Sequence, residues 1–366
     1  MEPIETTATK SYPKRILVIG GAGFVGSNLA FDLHEAGYNV VVMDNLVRRG
    51  GENNLPLFSF DGIEFVHGDI RNKEDFNGLG TFDVILNCAA QPSAINYANP
   101  TFDITNNTLG VLNILEFCRK TGAGLIQWST NKVYTGEVCN LPEYIVDRKR
   151  YSWINTFYKE LGDSWSAEWG FNEKLSLNGK DHSIYGVSKV MADLLIQEWS
   201  DAFGINSIVN RFSCLAGPNQ WGKAEQGWVS WFAIANEFGL PIKVYGYDGN
   251  QVRDYLFIDD LSRLIRRQIE QIGLHQGSVF NVGGGKKFNT SINEAINLLM
   301  TINKAWGSIT YLPDRRRADQ AIYISDNRKV CETFGWEPKI SLEEGFKQIL
   351  DWVRINEQKL KGLYSE

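Results

Sequence analysis

The sequence predicts an α/β protein, a doubly wound parallel sheet followed by a smaller mixed α/β C-terminal lobe. Three observations carry this. Short apolar runs alternate with amphipathic stretches as far as Gly217, a glycine turn joins the first run to the first amphipathic stretch, and Asp44 closes the second run. With 366 residues the chain holds roughly two to three units of ordinary domain size.

The elements follow in order. A polar leader covers residues 1–13. From Lys14, RILVIG reads as a buried strand, GAGFVG as a turn, SNLAFDLHEAG as an amphipathic helix and YNVVVMD as a second strand. The pattern returns with IEFVHGD (Ile63 to Asp69), FDVILNCAA (Phe82 to Ala90), a helical stretch from Phe102 to Lys120, and LIQWST (Leu125 to Thr130). A helix from Tyr185 to Phe203 then leads into INSIVNRF (Ile205 to Phe212). Strands alternating with helices give a Rossmann-type domain over residues 14–217.

Past Gly217 the alternation fades into Gly-rich turns, isolated strands such as SVFNVGG (Ser278 to Gly284), and amphipathic helices near Ser291 to Ile302 and Ser341 to Gln358. Residues 218–366 are read as mainly a substrate-binding lobe, discontinuous, with some segments returning to the first domain. Inside the first domain, residues 136–180 form a long irregular insertion rich in Trp, Tyr, Asn and Gly. Its aromatics predict an ordered element, with a lid and a packing or oligomer contact as equal readings. The sequence shows no internal repeat and no low-complexity tract.

Composition narrows the function classes. The chain is 43% hydrophobic and 22% charged, with 11 Trp, 14 Tyr and 20 Phe, which supplies a large core and excludes a disordered chain. Its 43 acids against 37 bases leave a net charge of −6, which disfavours a general nucleic-acid binder. No apolar run reaches the roughly 18 to 20 residues of a membrane span, and the leader is polar rather than signal-like, so a cytoplasmic protein is expected. The five cysteines lack a C-x-x-C and the four histidines lack metal-ligand spacing, so neither a disulfide framework nor a metal is expected.

Gly20, Gly23 and Gly26 lie between a strand and a helix, with Phe24 and Val25 opening that helix. Such glycines permit the tight turn, let the backbone approach a pyrophosphate and let helix pack on strand, while the helix N-terminus offers N–H groups. Asp44 follows where a carboxylate can accept from the ribose hydroxyls of a dinucleotide. It would also repel a 2′-phosphate, which favours NAD over NADP. Arg48 and Arg49 admit two readings, partners for a 2′-phosphate or a solvated basic turn. Asp69 and Ile70 are placed to bracket an adenine ring, with a helix cap as the plain alternative for Asp69.

Tyr185 and Lys189 stand four apart in YGVSK on the helical stretch, so both project from one face. In a chain of this composition a Y-x-x-x-K pair arises about once by chance. The pair gains weight from STNKVY, where Thr130 ends a strand of the same sheet and can present its hydroxyl to the site. A phenol with a pKa near about 10 is a poor base at neutral pH, and Lys189 is expected to lower it.

Together these segments resemble the extended short-chain dehydrogenase/reductases of the sugar-nucleotide epimerase and dehydratase type, over roughly Lys14 to Trp352. The resemblance implies Tyr185 as base, Lys189 as its electrostatic partner and ribose ligand, and Thr130 as the hydroxyl holding the reacting oxygen of the sugar. It also implies cofactor contacts at Asn45, Ala89, Ala90 and Asn107, and an arginine, Arg253 in QVRD, on the diphosphate of the substrate. A surface salt bridge is the alternative for Arg253.

The dehydratases of this family carry Asp and Glu directly after the hydroxyl residue, where this chain has Asn131 and Lys132. The runs STNKVY, EQGWVSWF, GNQVRD and RRADQ, in that order, resemble the CDP-sugar 2-epimerase branch, the CDP-paratose (CDP-tyvelose) 2-epimerases. That likeness implies substrate contacts at Gln91, Asn131, Lys132, Cys214, Gln226, Gly227, Trp228 and Arg316, with Arg315 competing for the last role. It further implies a homo-oligomer, a nucleotide-sugar substrate, and a place in lipopolysaccharide carbohydrate biosynthesis. The chain departs from the family in having VYT for VYG, in RFSCLAG, and in its long insertion. Cys214 replaces a common asparagine, with a small buried residue as the plain alternative. The competing readings are a UDP-sugar 4-epimerase of the same fold and a NAD-binding scaffold or sensor without turnover.

Overall fold

The computed structural model describes residues 14–48, 50–91, 99–221, 227–305 and 307–364. Its centre is a seven-stranded parallel sheet made of β1 (Arg15–Ile19), β2 (Asn39–Asp44), β3 (Glu64–His67), β4 (Val84–Asn87), β5 (Gly124–Thr130), β6 (Ser207–Phe212) and β7 (Ser278–Val282). The spatial order is β3-β2-β1-β4-β5-β6-β7, so the winding reverses between β1 and β4. Strands such as VVVM and VILN are buried throughout, because helices cover both faces of the sheet.

Helix α1 (Phe24–Glu35) starts at Gly23 with no side-chain cap, which leaves its first N–H groups facing the strand ends. The predicted helix from Phe102 to Lys120 is interrupted. An α-turn at Pro100–Ile104 passes through a π-helical turn at Thr105–Leu109 before α2 (Gly110–Thr121) continues. Helix α3 (Ile184–Phe203) is fixed at its start by Ser183, whose Oγ accepts from Gly186 N at 3.0 Å, and it ends at left-handed Gly204.

SVFNVGG is not an isolated strand of the second lobe. Its residues 278–282 form β7, the edge of the main sheet, paired in parallel with β6. Helix α4 (Ile258–Gln271) also returns, and Arg266 reaches Asp32 of α1 at 2.9 Å. Both were obscured in sequence because they lie among lobe elements. The lobe itself gathers a four-stranded sheet from Cys214–Ala216, Val252–Phe257, Asn289–Ser291 and Ile322–Tyr323, with helices Trp228–Phe238, Ile292–Ile302 and Leu342–Ile355 around Phe257, Phe346 and Leu299.

The insertion at 136–180 is ordered and packs against the body. Its hairpin, Tyr144–Asp147 with Arg150–Trp153, is tied to the lobe by Tyr151 N on Asn250 O at 2.8 Å and Ser291 Oγ on Lys149 O at 2.6 Å. Glu173 accepts from Asn281 N at 2.7 Å, and Asn281 Nδ2 donates to Phe171 O. The Glu173 and Phe171 contacts lie along the open edge at β7, which would otherwise expose unpaired strand groups.

Candidate active site

A cleft of about 800 Å³ runs along the C-terminal ends of β1, β2, β4, β5 and β6, across the point where the strand order reverses. This is the size and place expected of a ligand site in an open α/β sheet. At one end lie Gly20, Gly23, Phe24, Val25, Asp44, Asn45, Arg48 and Ile70. At the other lie Thr130, Tyr185, Lys189, Cys214, Gly227 and Trp228, with Ala89, Ala90 and Gln91 between.

The glycine turn is shaped for close approach. Gly20 holds φ +71° and any Cβ there would sit 2.6 Å from Ala89 N, while a Cβ on Gly26 would strike the Gly20 carbonyl. Gly26 therefore packs helix on strand and does not line the cleft. Asp44 ends β2 in the wall, but its oxygens already accept from Ala22 N at 3.0 Å and Leu46 N at 2.8 Å. Burial pushes its carboxyl above the usual range, against the pull of those backbone N–H groups.

Asp69 is not a helix cap. Two hydrogen bonds from Arg71 Nε and one from Nη2 hold it, Asn45 Nδ2 adds another at 3.0 Å, and its pKa falls to about 2, chiefly through Arg71. Its neighbour Ile70 faces the cleft. Asn107 is buried beneath the wall, where Oδ1 accepts from Gln91 N at 2.8 Å and Nδ2 donates to Gln91 O and Ser188 Oγ. It shapes the segment at Gln91 and fastens it to α3.

The sequence placed Tyr185, Lys189 and Thr130 together, and the structure does so. Thr130 ends β5 beside Phe212 of β6, and its hydroxyl interacts with the Tyr185 phenol. The expectation that Lys189 lowers the Tyr185 pKa needs correction. Burial pushes the phenol up to about 12, with the Thr130 hydrogen bond opposing and the Asp103 charge adding to it. Burial also pushes Lys189 down to about 8, and its Nζ donates to Trp128 O at 3.0 Å. In this arrangement desolvation outweighs the cation.

The expected substrate residues divide. Trp228 Nε1 donates to Cys214 Sγ at 3.4 Å in the cleft wall, and left-handed Gly227 starts the helix that carries Trp228. Asn131 is buried in the turn after β5, with Oδ1 3.4 Å from Thr130 Oγ1. Lys132 points behind the wall, to Ala318 O at 3.0 Å and Asp319 Oδ1 at 3.6 Å. Arg253 is not in a surface salt bridge. It is buried, with Nη2 on Asp319 Oδ1 at 2.6 Å and on Gln320 O at 2.5 Å. Arg316 lies over the Tyr245 ring and Arg315 over the Tyr247 ring, both outside the cleft lining. Gln226 and Arg49 fall outside the described residues.

Sequence reasoning missed Trp128, Phe212 and Trp221 in the lining. Trp128 carries a usable signal, since it stands two before Thr130 on one strand and shares its face. Asp44 is the one carboxylate lining the cleft among the described residues, at the end remote from Tyr185. No helix among the described residues is long and apolar enough to cross a membrane.

Comparison with known proteins agrees with this geometry. Residues 16–283 match the model of the NAD dependent epimerase/dehydratase family. The chain is similar to CDP-paratose 2-epimerase of Salmonella typhi, 34% identical over 93% of this chain and 99% of that protein. Among solved structures it is similar to UDP-glucose 4-epimerase of Thermotoga maritima with UDP-glucose, at TM-score 0.72 and 28% identity, covering 94% and 99% of the two chains. A further similarity is to dTDP-glucose 4,6-dehydratase of Bacillus anthracis in complex with NAD, at TM-score 0.73 and 26% identity, covering 96% and 99%.

Proposed function

The chain belongs to the NAD-dependent epimerase/dehydratase family, and on that premise we propose that it inverts C2 of a CDP-linked hexose or deoxyhexose through a transient 2-keto sugar. It is an enzyme acting on nucleotide sugars with NAD as cofactor. The observation that carries epimerisation over dehydration is the pair after Thr130: Asn131 and Lys132 stand where eliminating water would need an acid and a base, and Lys132 is turned to Ala318 O and Asp319. The likeness to the CDP-paratose 2-epimerase supports C2 and CDP.

The cleft fits NAD, because Gly20 and Gly23 bring bare backbone and the uncapped N-terminus of α1 to its wall, and Asp44 lies in the same wall at the end of β2. When bound, NAD supplies the acceptor and donor for the hydride at the sugar carbon. Tyr185 must first release its own phenolic proton to solvent, which the positive charge of a bound nicotinamide beside Lys189 would favour. The phenolate Oη then takes the proton of the C2 hydroxyl, holds it, and returns it after the sugar has presented its other face. Thr130 orients the reacting oxygen. Lys189 supplies a cation in the same cleft and a donor for the nicotinamide ribose. Arg253 anchors the diphosphate so that the ketone does not escape while the sugar turns.

The proposal extends to a homo-oligomer in the cytoplasm. Val187, Met191 and Leu194 expose an apolar stripe on α3, next to exposed Leu109, and Thr108 Oγ1 joins the two elements through Ser188 O at 3.0 Å. The five free cysteines suit a reducing compartment. Incubation with CDP-, UDP- and GDP-linked hexoses and deoxyhexoses, followed by NMR of the sugar, tests the function. Inversion at C2 of a CDP-sugar is expected; inversion only at C4 of a UDP-sugar would replace this reading with a 4-epimerase.

A further inference from the structure

Behind the sugar end of the cleft, two cations face one carboxylate. Lys132 Nζ lies 3.6 Å and Arg253 Nη2 lies 2.6 Å from Asp319 Oδ1, and the three side chains are only 21%, 9% and 17% exposed. Lys132 adds bonds to Ala318 O at 3.0 Å and to Gln320 Oε1 at 3.5 Å. Among the described residues, the thiols of Cys139 and Cys214 also act on Lys132, and burial raises both, so they stay neutral at physiological pH. A further carboxylate, Asp181, accepts from Ala318 N at 3.2 Å, whereas Lys132 is held by the Ala318 carbonyl. The cluster therefore holds one positive charge in excess, largely out of water. Such a charge is costly to bury and is stabilised by an anion supplied from outside.

The same lysine is bound to the catalytic turn. Its backbone N–H donates to Thr130 Oγ1 at 3.2 Å, so one residue touches the catalytic hydroxyl through its main chain and the Asp319 segment through its side chain. Cys214, in the cleft wall, feels both Arg253 and Lys132, which places the cluster directly behind that wall.

We propose that Lys132 is a positioning residue that couples the diphosphate of the substrate to the Thr130 hydroxyl, the Lys132–Asp319–Arg253 cluster being completed by that diphosphate. This rests on the nucleotide-sugar reading above. Anion binding satisfies the excess charge and draws on Lys132 as well as Arg253, and any shift of the Lys132 side chain is carried to the turn that orients Thr130. Burial lowers the Lys132 pKa while Asp319 pulls it back up, so its charge is lost at a lower pH than that of an exposed lysine. Affinity for a nucleoside diphosphate then falls as pH rises through that point.

The test is calorimetric titration of the NAD-loaded protein with CDP and UDP across neutral to alkaline pH, with sugar turnover measured alongside. Lys132→Met is expected to weaken diphosphate binding by about 10-fold or more at neutral pH, on the scale of losing a charge-assisted contact, and to lower kcat as well. Lys132→Arg is expected to restore neutral-pH affinity and to hold it at alkaline pH, where the wild type weakens. This variant keeps the charge, so it reads the proposal even where the methionine variant is unstable. Equal CDP affinity and equal pH dependence in wild type and Lys132→Arg, with Lys132→Met unchanged, would overturn the coupling. Wild type that binds neither CDP nor UDP would overturn the nucleotide-sugar reading itself.

Discussion

Lys189 stands one helical turn from Tyr185 on α3, yet its Nζ donates to the Trp128 carbonyl at 3.0 Å, and the group that favours the ionised phenol is Thr130 rather than the lysine. The lysine lines the same cleft, and burial holds the phenol neutral while lowering the lysine to about 8, so that it is still charged at neutral pH.

Removal of the phenol hydroxyl therefore isolates the proton transfer. Tyr185→Phe should lower kcat at least about 100-fold, the usual scale for a lost general acid or base, with unchanged thermal unfolding and NAD affinity. Turnover close to wild type would remove Tyr185 from the mechanism.

The pKa directions give a second expectation. Without cofactor, Tyr185 stays protonated until about pH 12, so phenolate absorbance assigned by comparison with Tyr185→Phe should be absent at pH 9 to 10. Lys189, lowered to about 8, is charged below that pH and loses its charge as pH rises through it. NAD affinity should accordingly decline above about pH 8 in wild type. In Lys189→Met it should be weaker at neutral pH and flat across the same range.

These expectations also show what was legible in the sequence. The glycine turn, Asp44, and the trio of Tyr185, Lys189 and Thr130 could be read because each depends on spacing within one element or on strand ends that share a sheet edge. The pairing of Lys132 with the segment at Ala318 joins residues 186 apart, and no local periodicity encodes it. Arg253 was recognised by its motif, but whether it met solvent or Asp319 depended on how the second lobe folds back. The placement of β7 failed for the same reason, since a five-residue apolar strand carries no mark of the sheet it joins.

Asp44 separates two origins of cofactor preference. Its carboxylate holds Ala22 N and Leu46 N and faces the cleft beside Arg48. Asp44→Ala should weaken NAD and narrow the ratio of NAD to NADP affinity, because the ribose acceptor and the repulsion of a 2′-phosphate disappear together. A ratio that stays as in wild type would assign the discrimination to another part of the loop after β2.

For Arg253 the buried ion pair predicts a double effect. Arg253→Ala removes a cation from the proposed diphosphate site and leaves Asp319 with Lys132 alone. KM for the nucleotide sugar should rise about 10-fold or more. The unfolding temperature should fall by several degrees as well, since truncating one partner of a buried pair is strongly destabilising. A fall in stability with KM unchanged would confine Arg253 to a structural role.

The fate of the sugar hydrogen decides how C2 is inverted. Inversion requires a planar C2, reached as a ketone by hydride loss or as an enolate beside a ketone at C3. The enolate route needs a base at carbon; among the described residues the cleft lining holds only Asp44, at the far end, and Asp103, whose charge acts on Tyr185, lies outside that lining. Direct oxidation needs the phenolate form of Tyr185, which takes the hydroxyl proton, and a hydride acceptor that returns the same hydrogen. Deuterium placed at C2 of the CDP-sugar should therefore be found at C2 of the epimer. The unlabelled substrate run in heavy water should remain unlabelled there. Solvent deuterium at C2 would reject direct oxidation, while inversion at C4 with C2 untouched would hand the assignment to a 4-epimerase.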